Sequence, residues 1–208
     1  MTDSPWPTIH AERRALADDL ASLSDAQWST PSLCTGWTVH DMLGHMLATA
    51  KLTPPKFIGH FASSGFNFDK MANKDIRAET AGGPAATLAD FRQHLDDTTG
   101  PPGPVDAMLG EALIHSDDIR RPLGIKHDYP TDAVVRCLDF FKGSNLLIGA
   151  KKRIAGLSLQ ATDTSWSHGS GPKVSGPAHS LLMAMTGRSP AIDDLEGDGV
   201  ETLRARCT

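Results

Sequence analysis

The chain has 208 residues, enough for one domain or two small ones with a real hydrophobic core. Its 39% hydrophobic and 22% charged residues are those of an ordinary soluble globular protein rather than a disordered or fibrous one. The formal net charge is −5, and no Lys/Arg block or aromatic–basic interleaving is present, which argues against nucleic acid as the main partner.

In chain order, Thr8 is placed to cap a first helix running to about Ser24, with Ile9, Leu16, Leu20 and Leu23 at roughly helical spacing. SDAQWSTPSLCTGW reads as a connection in which Trp28 and Trp37 pack inward. Thr38 followed by Asp41 resembles a capping box with Asp in place of Glu. The helix it opens carries Val39, Met42, Leu43, Met46 and Leu47 on one side and is expected to break near Pro54-Pro55. Residues 56–82 are read as one or two short helices. Pro84 suits the first turn of a helix to about Asp97, and TTGPPGP ends it.

A further helix is expected from Val105 to Arg121, stopped by Gly124, and another from residue 131 to 149. Beyond residue 150 the pattern changes. Residues 154–162 alternate as a strand, HGSGPKVSGP has room for a second short strand, and AHSLLMAMTG reads as a buried helix stopped by Gly187. The tail VETLRAR fits a helix or a strand. The expected architecture is mainly α, with a helical bundle over 1–149 and a small α/β domain over 150–208.

The start of the chain shows no charged-then-apolar signal pattern, and no apolar run approaches bilayer length. Cys34, Cys137 and Cys207 show neither metal-type CxxC spacing nor a disulfide framework, so a reducing cytoplasm is the simplest expectation. Cys34 itself, in a Trp-rich connection, reads as a packing residue. No membrane partner is expected, and either a monomer or a homodimer fits.

The strongest chemical signal is Glu111-Ala-Leu-Ile-His115 inside a helical pattern. Residues four apart share a helix face, so the carboxylate and the imidazole can converge. The plain reading is a solvated face pair. Yet Leu109, Leu113 and Ile114 make this helix largely apolar, and a buried charge needs a partner or a metal. A third ligand would come from a facing helix, and His45 lies in the other well-defined amphipathic helix. Its duller reading is a hydrogen-bonded core or surface histidine, and His60 is the competing third ligand. Two histidines and one carboxylate leave a tetrahedral ion one open position, which catalysis needs and a structural site does not.

Asp118, three residues after His115, is a candidate to orient a ligand histidine, with a surface ion pair to Arg120 or Arg121 as the equal alternative. Arg188, after the Gly187 stop, is a candidate to bind a carboxylate, although a surface arginine at a helix end is commoner. Signatures of His-Glu-x-x-His proteases, Gly-x-Ser-x-Gly hydrolases and phosphate-binding glycine loops are missing.

Pro31-Ser-Leu-Cys-Thr-Gly-Trp-Thr-Val-His-Asp-Met-Leu-Gly-His45 resembles the opening of the mycothiol-dependent maleylpyruvate isomerase family, a branch of the DinB-like superfamily. Glu111 through Asp118, with Arg120 and Leu123-Gly124, resembles that family's second ligand segment. Thr162-Asp163 through Gly169-Ser-Gly171-Pro and Gly176-Pro177 to Gly187-Arg188 resembles its small C-terminal domain. The middle, residues 53–104, has no residue-by-residue match. The resemblance implies a DinB-like up-down four-helix bundle with His45, Glu111 and His115 holding a divalent metal, zinc first. It also implies mycothiol as thiol cosubstrate and a small-molecule electrophile as partner, in an isomerase or an S-transferase. A transferase of another low-molecular-weight thiol, a metal-dependent hydrolase and a non-catalytic metal- or ligand-binding module are the alternatives.

Overall fold

The structure, a computed structural model, describes residues 4–145 and 148–207. The chain divides after His127 into two compact units.

The first unit is helical. Helix α1, Trp6–Asp19, begins before Thr8 because Pro7 already sits in its first turn, where a fixed φ and a missing N–H cost nothing. A single 3-10 turn, Leu20–Ser22, replaces its expected end. The short helix α2, Asp25–Trp28, is held by a capping box between Ser24 and Gln27. Helix α3, Val39–Lys51, opens on the expected Thr38–Asp41 box. Next come α4, Pro54–Ser63, and α5, Phe68–Thr80, so the middle segment forms two helices. Helix α4 buries none of its residues. Helix α6, Pro84–Gln93, stops short of Asp97, and α7, Val105–Arg120, ends as expected, with Gly124 beyond it at φ 69°.

Helix α3 packs against α5, α6 and α7, and α1 packs against α6 and α7. The core joins Leu16 of α1 and Leu20 of the 3-10 turn to Met42, Leu43, Met46 and Leu47 of α3, with Phe91 and Ile119. Gly44 sits where α3 meets α5: a methyl group there would lie 2.6 Å from Cγ2 of Thr80, so the approach requires glycine.

The second unit opens with α8, Thr131–Phe141, whose apolar face packs on α10, Ala178–Met185. The sequence reading groups this helix with the bundle. The helix expected over 131–149 ends at Phe141, before Gly143-Ser-Asn, all poor helix formers, and residues 146–147 lie outside the described residues. The strand expected over 154–162 is shorter, because Ile154 caps the one-turn helix α9, Ala150–Arg153. Strand β1, Ser158–Ala161, pairs antiparallel with β2, Ser167–Gly169, and parallel with β3, Lys173–Gly176. The order β2–β1–β3 carries the chain across β1 at Gly169 and Gly171, whose positive φ values of 82° and 126° favour glycine. Helix α10, buried at every position but His179, covers β1 and β3. The tail forms helix α11, Val200–Arg204.

Candidate metal centre

Helix α7 carries the chemistry on one stripe, because Glu111, His115 and Asp118 follow each other by four and three positions. His115 Nδ1 lies 2.8 Å from Asp118 Oδ2. An ionised carboxylate only accepts, so with Asp118 in its charged form this bond would place the ring proton on Nδ1. Asp118 is fully buried. The same oxygen accepts from Cys34 Sγ at 3.4 Å, and the Asp118 backbone carbonyl accepts from Leu33 N at 3.1 Å. Cys34, read from the sequence as a packing residue, therefore touches the site.

His45 lies in α3, which is fixed at its start by the capping box. The Thr38 hydroxyl accepts from Asp41 N at 3.1 Å, and the Asp41 carboxylate accepts from Thr38 N at 2.9 Å. The His45 ring meets His115 edge to face, with centroids 5.0 Å apart and planes at 88°. Trp37 lies against His45 at a centroid distance of 5.1 Å. The indole N–H of Trp37 donates to Asn73 Oδ1 at 3.2 Å, which ties it to α5.

Glu111 supplies the electrostatic anomaly. Both carboxylate oxygens are sealed from water and, among the described residues, meet no hydrogen-bond donor. Burial pushes its pKa above the ordinary 4.5, and the attraction of Arg13 and His115 opposes that only in part. Arg13 is itself buried: one guanidinium nitrogen donates to the Asp97 carbonyl at 3.0 Å, while Nη2 lacks a partner. A buried carboxylate without donors is costly unless a cation joins it. His45 and His115 are brought into ring contact, and Glu111 lies one helical turn before His115, but the three are not among the groups of described residues whose donor atoms all lie within 4.8 Å of one another.

A tighter group overlaps this set. Donor atoms of Cys34, His115 and Asp118 all lie within 4.8 Å of one another. Hydrogen bonding explains that closeness, since the thiol and the imidazole both donate to Asp118. Asp118 is thus in contact with both the His115 ring and the Cys34 thiol. Arg120 pairs with Asp19 at 2.7 Å, and Arg121 pairs with Asp117 at 3.1 Å.

His60 is exposed and pairs with Asp75 at 3.0 Å. Arg188 belongs to the second unit, where its guanidinium donates to the Thr186 carbonyl at 2.9 Å. Clefts of about 450 and 720 Å³ are present, but neither is lined by His45, Glu111 or His115. The sequence reading missed Arg13, although a signal existed. Arg13 falls four residues after Ile9 and three before Leu16, on the apolar stripe of α1.

Among the described residues, no helix is long and apolar enough to cross a membrane. Residues 9–102 match the family model described as the mycothiol maleylpyruvate isomerase N-terminal domain. Two solved structures are similar over 94% of this chain and 94% of their own. One is a crystal structure of a histidine-to-alanine mutant of the mycothiol-dependent maleylpyruvate isomerase, with TM-score 0.61 and 17% identity. The other is a crystal structure of the mycothiol-dependent maleylpyruvate isomerase, with TM-score 0.57 and 16% identity. At such identities the likeness is one of fold. A comparison with curated proteins gives no match.

Proposed function

Because residues 9–102 match the mycothiol maleylpyruvate isomerase N-terminal domain model, we propose that the chain is a member of that family and a metal-dependent enzyme acting with mycothiol on a small electrophile. The observation that carries this reading is the buried Glu111 carboxylate, without a donor, next to a histidine whose ring meets a second histidine.

His45 and His115 would hold the metal through imidazole nitrogen and Glu111 through carboxylate oxygen, with zinc the first candidate. When bound, such an ion supplies a thiol in its anionic form at neutral pH, where an ordinary thiol of pKa about 8.5 is mostly protonated. Asp118 keeps the His115 proton on Nδ1 and fixes the ring plane. Arg188 is the candidate to bind a carboxylate of the thiol or the substrate. The reaction class is addition of the thiol S–H across a cis carbon–carbon double bond, rotation about the resulting single bond, and elimination that returns the thiol and gives the trans product. A transferase shares the first bond-forming event and keeps the carbon–sulfur bond. A reducing cytoplasm suits a chemistry that needs a free small thiol.

The test is to supply the metal-loaded protein with mycothiol and a panel of electrophiles that includes maleylpyruvate. Metal-dependent isomerisation or thiol consumption is expected. Turnover without any thiol would replace this reading with a hydrolase. No turnover, with metal bound, would replace it with a binding module.

A further inference from the structure

The connection before α3 is a built loop. Ser32 organises it: its hydroxyl accepts from Cys34 N at 3.2 Å and donates to the Trp37 carbonyl at 2.8 Å. Ser32 N donates to the same Trp37 carbonyl at 2.9 Å, Trp37 N donates to the Cys34 carbonyl at 3.1 Å, and Pro31 bridges to Thr38. Gly36 turns the loop with φ at 83°.

This loop reaches both histidines. Trp37 lies directly against His45. On the other side the loop docks on Asp118 twice, through Leu33 N to its carbonyl and Cys34 Sγ to its carboxylate. The carboxylate oxygen that receives the thiol is the one that receives His115 Nδ1. A fully buried carboxylate rotates about its terminal torsion unless donors pin it, and two donors on one oxygen from opposite partners fix its plane.

We infer that Cys34 is a positioning residue of the candidate metal centre, acting on His115 through Asp118. The inference rests on the assignment of His115 as a metal ligand, but its first readout does not. Without the thiol, Asp118 Oδ2 loses the Cys34 donor and the His115 ring is held less firmly. Serine supplies an O–H donor at the same place and retains the lock.

The experiment compares wild type, Cys34→Ala and Cys34→Ser, each shown to be folded by circular dichroism. The first readout is the Nδ1 proton of His115 in metal-free protein, followed by ¹H–¹⁵N NMR. The second is cobalt affinity, measured by competition with a chelator. Cys34→Ala is expected to shift or broaden the proton signal and to weaken cobalt binding about 10-fold, the lower end for loss of an outer partner of a metal ligand. Cys34→Ser is expected to recover most of both. An alanine variant with an unchanged proton signal and unchanged affinity overturns the inference and leaves Cys34 as packing. A sulfur-to-cobalt charge-transfer band in wild type without added thiol, lost in Cys34→Ser, also overturns it by making Cys34 a ligand. If wild type binds no metal, the proposed function fails, and the proton signal alone decides the role of Cys34.

Discussion

His45 of α3 and His115 of α7 meet edge to face, their ring centroids 5.0 Å apart. If that contact marks a metal centre, removing either ring leaves two protein ligands where the site needs three. His45→Ala and His115→Ala should each lose nearly all of about one equivalent of metal per chain, as measured by elemental analysis. Full metal content in either variant would place the ion elsewhere, with the Cys34–Asp118 cluster the first place to look.

Chelation tests the same centre by function. Thiol consumption should stop when the metal is stripped and return when zinc is restored. Activity that survives exhaustive chelation would sink the metal-dependent reading.

Glu111 gives a pH prediction with a definite sign. Its pKa is raised in the folded, metal-free protein, by burial above all, so the folded state holds a proton that the unfolded chain has released. The associated stability is fully present below the unfolded value and is lost as pH rises through the folded one. Metal-free wild type should therefore weaken over that interval in denaturant titrations, and Glu111→Gln should flatten this component. With saturating zinc the slope should reverse, because protons then compete with the ion for its ligands. Identical slopes with and without zinc would disconnect Glu111 from the metal.

Asp139 provides a contrasting acid test in the second unit. Burial pushes its carboxyl up, but hydrogen bonds from Lys142 and from the Trp166 indole, with the Lys142 charge, pull it below the ordinary range. A depressed carboxyl stabilises above its unfolded pKa, and that contribution disappears as pH falls through the folded value. Since Asp139 is half exposed, Asp139→Asn should cost no more than about 1 kcal/mol at neutral pH. The variant and wild-type stability curves should converge in acid. A gap that stays constant down to low pH would contradict the ionic assignment.

Gly44 sets the spacing of α3 beside His45. Gly44→Ala should cost about 1–3 kcal/mol by forcing a methyl against Thr80, as overpacking does. Thr80→Ser removes the opposing methyl and should recover much of that loss in a double-mutant cycle. Additive effects would mean that α5 moves away as a whole.

Local signals carried what was legible in the sequence. The Thr38–Asp41 box, the start and end of α7 and the Gly187 stop depend on neighbours a few residues away, and all appear as read. The face shared by Glu111 and His115 follows from helix periodicity alone. Arg13 and Cys34 were harder, because what matters about each is a contact with α7 or its neighbourhood that no local pattern encodes. The parallel pairing of β1 with β3 is a long-range choice, and the strand pattern over 154–162 could not show that α9 claims Ile154. His45 as partner of His115 was an inference from amphipathic neighbours, and the ring contact is a tertiary fact.

The absence of buried residues in α4 has an architectural consequence. An element that hides so little apolar surface opens at low free energy, so its amides should exchange well before those of α3 and α7. Lengthening or replacing it alters a tether between two helices already anchored elsewhere, and the entropy of such a tether grows only slowly with its length. Helix α4, between α3 and α5, is thus the most exchangeable helix of the first unit, open to redrawing while the two rings stay in place.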